Sequence, residues 1–222
     1  MTLPIPQNIF PIMGAQSMNE SFAPIDLSVS NTALPDEVDY TSLTDYVNLH
    51  ISQNDSKYAI GGYLEHRNLY GLSNHFSGSD RRDIHLGIDI WTEAYHPIYA
   101  PISGTIHSYA YNDQHLDYGY TLILRHEYED TIFYTLYGHL SEDYHNSWKL
   151  EQIIESGTLI ASIGDRTTNG GWPPHLHFQV IIDMGDWEGD YPGVCRKSDL
   201  NYYANNCPSP KHLIKIKPDN NI

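Results

Sequence analysis

Basic residues are scarce in this chain: 12 Lys and Arg stand against 28 Asp and Glu, a formal charge of −16 over 222 residues. A phosphate backbone would be repelled, and no basic cluster interleaved with aromatics offsets the imbalance, so nucleic acid is disfavoured as a partner. Attraction to anionic lipid or wall polymers is disfavoured for the same reason. Cysteine is nearly absent. With only Cys195 and Cys207, no cysteine-rich structural zinc site can be built within one chain. Two thiols decide no compartment, and the reduced form is the expectation. No apolar run reaches membrane-spanning length, and MTLPIPQNIFPIMGAQ at the start has neither a basic n-region nor a continuous apolar h-region. The expectation is a soluble protein without membrane insertion. It is cytoplasmic as written, with export by another route or a truncated start as alternatives. Nothing selects an oligomeric state, and there is no internal repeat, low-complexity tract or HExxH motif.

What is present is histidine, 13 in all, and five side chains in ordered motifs. HLGID carries His85 and Asp89, YGHL carries His139, and HLHF carries His175 and His177. Imidazoles and a carboxylate are side chains that bind zinc, and three protein ligands with an open fourth position is the catalytic arrangement. Ligand type alone leaves cobalt and manganese open.

From His175 onward, Leu176, Phe178, Val180 and Ile182 alternate with His175, His177, Gln179 and Ile181, which is a strand pattern. Both imidazoles then share one face, roughly 6 to 7 Å apart at Cβ, while Leu176 and Phe178 enter the core. That spacing is wide for a chelate and suits a division of labour, one histidine on a metal and the other facing substrate or water. On an extended strand His85 and Asp89 would stand roughly 13 Å apart, beyond any shared ion. The backbone must bend between them, and Gly87 is placed to take positive φ or bulge geometry there. In TIFYTLYGHL, Thr131, Phe133, Thr135, Tyr137 and His139 share one parity, which predicts His139 at a strand end on their common face.

HxxxD, then YGHL, then PPHLHF in that order resembles the lysostaphin and LytM-type zinc endopeptidases that cleave peptidoglycan peptides. PIYAPISGTI, SGTLIASIGD and NGGWPPHLHF are similar to the family's intervening strands and loop, and the likeness covers residues 84–182. It implies zinc held by His85, Asp89 and His177, one ion per chain, with His139 and His175 as the catalytic pair. The implied fold is mainly β, an antiparallel sheet or β-barrel-like LytM-type peptidase domain. One departure bears on specificity: the family commonly has a Ser/Thr-Gly stretch before HxH, where this chain has Gly170, Gly171, Trp172, Pro173 and Pro174. The implied function is a zinc metalloendopeptidase acting on peptidoglycan cross-links or stem peptides. The alternatives are a noncatalytic zinc-containing binding or regulatory module of the same fold and a zinc amidohydrolase acting on a small cytosolic peptide. The proton acceptor is His139 or His175, either of which titrates in the physiological range when unperturbed.

The length suits one substantial domain with extensions: an N-terminal extension at 1–56, the peptidase domain at 57–195 and a C-terminal extension at 196–222. Residues 1–35 lack any period and should be irregular or wrap along the domain. A short helix follows, with Ser42 and Asp45 as a capping box and Leu43, Tyr46, Val47 and His50 on one face through about Ser52. Strand-like runs follow at 97–110, 118–127, 130–140, 157–164 and 175–183. Segments 183–194 and 205–221 read as loops, with a terminal strand at HLIKI. In GGYLEHRNLYG, residues 61–71, Arg67 could grip a substrate carboxylate, but an internal ion pair with Glu65 or Asp83 is the favoured reading. The other histidines, at 50, 66, 75, 96, 107, 115, 126, 145 and 212, read as surface or hydrogen-bonded core positions.

Overall fold

The computed structural model describes residues 3–34, 38–67, 69 and 81–216, so His75 and the end of the 61–71 stretch lie outside it. Twelve strands are assigned among these residues: β1 Phe22–Pro24, β2 Tyr58–Gly61, β3 Arg82–His85, β4 Ile88–Trp91, β5 Pro97–Tyr99, β6 Gly104–Asn112, β7 Gly119–Tyr128, β8 Thr131–Leu140, β9 Ile153–Ile154, β10 Leu159–Ser162, β11 His175–Ile181 and β12 Val194–Arg196. Eight of them form one sheet in the order β1-β2-β4-β11-β8-β7-β6-β9. Every pair in it is antiparallel except β1 and β2, which run parallel. Two antiparallel pairs, β10–β5 and β12–β3, lie beside it. The mainly β, antiparallel expectation holds, and the five strand-like runs of the middle of the chain match β5 to β8, β10 and β11, with β6 and β7 running one or two residues further than expected.

The sheet is buried on both faces. Ile90, Leu122, Leu124, Phe133, Tyr137, Leu176 and Phe178 pack on one side with Ile98 and Ile160 of the β5–β10 pair. Ile84, Leu86, Tyr118, Ile123, Leu136, Ile181, Met184 and both cysteines pack on the other. Strand β11 is consequently buried at all seven positions. Its histidine-bearing face is covered as fully as its leucine-bearing one, so those imidazoles can persist only with hydrogen-bond partners or an ion.

The N-terminal segment wraps the domain, as its lack of period implied, but it is not wholly irregular. Phe22 extends the sheet against Tyr58, with their rings stacked at 4.4 Å, and Ile12, Met13 and Leu27 are buried. Helix α1 spans Tyr40–Gln53. Its cap is Asp39, whose carboxylate accepts from Ser42 N while Ser42 Oγ accepts from Asp39 N. The capping box therefore lies three residues upstream of the expected one, because Asp39 is the stronger N-cap and Ser42 supplies the reciprocal bond from inside the first turn. Leu43 and Val47 are buried as the helical pattern required.

Two C-terminal expectations are corrected. Helix α2, Leu200–Asn206, lies mostly between the two segments read as loops and runs into the second of them at residues 205–206. Its Tyr and Asn residues are indifferent helix formers, and packing holds it instead: Leu200 and Tyr203 lie against the second core face, and Asn206 exchanges side-chain bonds with the backbone of Asp183. HLIKI is not a strand. Pro210 sets a 3₁₀ turn over Pro210–Leu213, and the consecutive burial of Leu213 and Ile214 breaks the period of two that a strand needs.

Candidate metal centre

Four strands, β3, β4, β8 and β11, and the break between the first two bring the five motif residues together. Chain direction changes at Leu86–Gly87, between β3 and β4, which swings Asp89 back toward His85. The bend is where it was expected, but the reason for glycine differs. Gly87 is not among the positive-φ glycines. A Cβ there would instead stand 2.6 Å from His177 Cε1 and 2.8 Å from the Phe178 carbonyl, so the residue is kept bare by the approach of β11. Register then places His177 directly opposite Asp89.

His85 Nε2 stands 2.9 Å from His177 Nδ1, and Asp89 Oδ1 lies 3.2 Å from each of these nitrogens. Donor atoms on a tetrahedral zinc, with bonds of about 2.0 to 2.1 Å, are separated by about 3.3 Å. The triangle therefore fits one zinc with little adjustment, and among the described residues it is the group of three His, Cys, Asp or Glu residues that could hold a metal. Each imidazole is held from behind: His85 Nδ1 donates to the Gly62 carbonyl at 2.8 Å, and His177 Nε2 to Gln179 Oε1 at 2.9 Å. These bonds leave a lone pair on each nitrogen of the triangle. Gln179 is fixed in turn by donating to the Pro192 carbonyl and to Cys207 Sγ.

Electrostatics favour the same protonation states. Burial, reinforced by the Arg67 charge, pushes His85 down to about 4. Burial opposes ionisation of Asp89, yet positive charge on His85 at the low pH where the carboxyl would titrate, together with the Arg67 guanidinium, holds it well below the usual range. At neutral pH the donor set includes a neutral His85 imidazole and the Asp89 carboxylate. Arg67 itself is 2% exposed and pairs with Glu65 and Asp89, each at 2.6 Å. The internal ion pair was the right reading, but Asp89 takes the place expected of Asp83, whose carboxylate pairs with His66.

His139 and His175 lie beside the triangle with ring centroids 4.2 Å apart. His175 stacks on Trp91 at 4.0 Å, and its Nε2 is 3.9 Å from Asp89 Oδ1. Both donate Nδ1–H to backbone carbonyls, of Asn169 and Pro173 respectively, at 2.8 Å. Burial pushes His175 down to about 4, and burial with the neighbouring His175 and His177 holds His139 well below its ordinary value. Both therefore carry an unprotonated Nε2 at neutral pH.

The parity expectation for His139 fails. Tyr137 and Phe133 belong to the core face, whereas His139 is on the metal side. Pairing slips by one residue where β8 passes from Tyr137 to Leu140 opposite β7, and His139 takes φ 62° within that bulge. The inverted residue turns its side chain through the sheet, a conformation that costs about 1 to 3 kcal/mol and that its bonds to the Tyr118 carbonyl and Gly164 N–H hold in place.

A cavity of about 90 Å³ opens over these groups, walled by Leu69, Leu116, Tyr118, Trp172 and Val194. That is room for several waters or a peptide group. Trp172 is positioned by Asn169, whose side-chain oxygen accepts from Gly171 N and Trp172 N while its amide donates to the carbonyls of Gly164 and Trp172. Gly170, at φ 83°, also passes so close to the Asp117 carbonyl that a Cβ would overlap it. The loop that departs from the Ser/Thr-Gly pattern is thus a fixed wall of the cavity. Gly62, Tyr118, Asn169 and Gln179 were not read from sequence as parts of the site; Arg67 was singled out, but as one partner of an internal ion pair with Glu65 or Asp83.

Residues 83–188 match the model of Peptidase family M23, which bears out the resemblance carried by the three motifs. No curated protein matches the chain. Among solved structures it is similar to a zinc containing peptidase from Vibrio cholerae, at 26% identity over 48% of this chain and 31% of that one, with a TM-score of 0.38. It is also similar to the catalytic domain of the antimicrobial peptidase lysostaphin from Staphylococcus simulans, at 20% identity over 72% of this chain and 96% of that one, TM-score 0.42. A mutant catalytic domain of the prophage-encoded M23 protein EnpA from Enterococcus faecalis is 18% identical over 60% of this chain and 88% of that one, TM-score 0.39. The chain spans under a third of the length of the Vibrio cholerae peptidase.

Proposed function

We propose, with residues 83–188 as a region of peptidase family M23, that this protein is a zinc-dependent metalloendopeptidase hydrolysing peptide bonds in peptidoglycan cross-links or stem peptides. The observation that carries the reading is the triangle of His85 Nε2, Asp89 Oδ1 and His177 Nδ1 beside two further neutral imidazoles. These three atoms hold the zinc, and His139 and His175 serve as the catalytic pair. When bound, zinc supplies a Lewis acid for the scissile carbonyl and brings the pKa of a bound water toward neutrality.

The chain's own groups do the rest. With Nδ1–H committed to a backbone carbonyl, His139 and His175 each turn Nε2 toward the cavity as a base of fixed tautomer. One takes the proton of the attacking water and later delivers it to the leaving amine. The other takes up a proton from solvent at Nε2 and then donates it in a hydrogen bond to the oxygen on which negative charge develops. Trp91 behind His175, and Trp172 across the cavity, hold the rings and keep bulk water from them.

The test is digestion of purified peptidoglycan by the zinc-loaded protein, with mass spectrometry of the released fragments. New peptide termini that are lost in a His177→Ala variant are expected. Zinc bound at one per chain without new termini would sink the catalytic reading and leave a noncatalytic module. Cleavage confined to small soluble peptides would move the substrate to the third class considered above.

A further inference from the structure

Asp89 has two carboxylate oxygens, and the structure uses them differently. Oδ1 faces His85 Nε2 and His177 Nδ1, whereas Oδ2 accepts from Arg67 Nη1 at 2.6 Å. Arg67 is not a loose surface cation. Its Nε donates to Glu65 Oε2 at 2.6 Å, and Glu65 Oε1 accepts from Leu27 N at 3.0 Å. The backbone of the segment is equally fixed: Leu64 N donates to the His85 carbonyl, His85 N to that of Glu65 and Arg67 N to that of Asp83. Gly62, at φ 103°, leaves the guanidinium its space, since any Cβ there would overlap Arg67. All of these partners except the β3–β4 residues lie upstream of the matched region 83–188.

We infer that Arg67, braced by Glu65, is a positioning residue that occupies Asp89 Oδ2 so that the carboxylate offers a metal one oxygen only. The inference rests on the reading of His85, Asp89 and His177 as the zinc ligands. A carboxylate can bind zinc through one oxygen or both, and a second oxygen would fill the position that a catalytic site keeps for water or substrate. The planar guanidinium suits this task, because two of its N–H groups meet two carboxylates in fixed directions, which a lysine ammonium on a flexible stem does not reproduce. The N-terminal extension, through the Leu27 N–H that Glu65 accepts, thereby braces the metal centre.

The experiment loads full-length wild type, Arg67→Gln, Arg67→Lys and Glu65→Gln with Zn²⁺ and, separately, with Co²⁺. Metal stoichiometry, the cobalt absorption spectrum and turnover of a cleaved peptide are measured at saturating metal. Wild type should give the intense visible bands of four-coordinate cobalt. Arg67→Gln should keep one metal per chain, lose band intensity as the coordination number rises, and lose turnover by roughly 10- to 100-fold, the range seen for groups that orient metal ligands. Arg67→Lys and Glu65→Gln should fall between the two. A purely structural role would move thermal stability while leaving the spectrum and turnover at saturating metal unchanged, and that result would overturn the inference. If Arg67→Gln does not fold, the near-isosteric Glu65→Gln carries the same comparison. A wild type that binds neither metal would instead sink the reading of the three ligands, leaving the role of Arg67 without a metal to act on.

Discussion

The same sheet holds two buried histidine networks, and they have opposite characters. At the His85–Asp89–His177 end, lone pairs from two imidazoles and a carboxylate converge within 3.2 Å of one another beneath a cavity. On β7 and β8, His126 is as deeply buried, yet its Nδ1 donates to the Ser103 carbonyl at 2.9 Å and its Nε2 accepts from the Thr135 hydroxyl at 2.7 Å, which in turn lies 3.1 Å from the Tyr137 hydroxyl. Gly104 packs against this ring with no room for a Cβ. The ring nitrogens of His126 are both satisfied inside the protein, and among the described residues no carboxylate bonds to them. Burial and a depressed imidazole pKa are common to both networks. What separates a candidate reaction centre from a core tie is convergence of unspent lone pairs on one point with open space above it.

The comparison breaks most sharply if the triangle is not the metal site. Asp89→Ala removes the only carboxylate from it and leaves the buried Arg67 facing two imidazoles, so zinc affinity should fall by more than about 100-fold, beyond the effect typical of second-sphere changes. Competition against a chromophoric chelator measures this. Zinc held with wild-type affinity would show that the convergence has no bearing on metal. A subtler separation lies within the same network. His139→Ala should leave zinc affinity unchanged and reduce turnover by about 10² to 10⁴, the usual contribution of a positioned general acid or base. Loss of zinc in this variant would make His139 a ligand rather than a member of the catalytic pair.

Much of this was legible beforehand because strand periodicity is local. Alternation in HLHF fixed which face carries His175 and His177, and the distance argument required a bend between His85 and Asp89. The same parity logic misplaced His139, since nothing in TIFYTLYGHL marks a non-glycine residue at φ 62°; the bulge arises from pairing with β7 and from bonds to Tyr118 and Gly164. The Asp89 partner of Arg67 was hidden for a related reason. It lies 22 residues further along the chain, and only the tertiary path of residues 62–67 along β3 joins them. Gly87 was found for a partly mistaken reason, because the close approach of His177 is a contact between strands 90 residues apart, which no local rule contains.

The smallest expected effect tests the closed network. Burial pushes His126 down to about 4, below its ordinary 6.5. A base with a lowered folded-state pKa is neutral in the native protein while the unfolded chain binds the proton, so its contribution to stability is intact above about pH 6.5 and is lost as pH falls toward 4. The full loss corresponds to on the order of 3 kcal/mol, at about 1.4 kcal/mol per pKa unit. His126→Asn should therefore be less stable than wild type at pH 7.5, through lost packing on Phe133 and the broken bonds to Ser103 and Thr135. Between pH 7 and pH 5, however, its stability should decline less steeply. Other buried imidazoles titrate in both proteins, and taking the difference between the two denaturation series at each pH removes their share. Parallel curves would mean that the His126 site admits the proton without penalty, and the distinction between a closed histidine tie and an open one would lose its electrostatic basis.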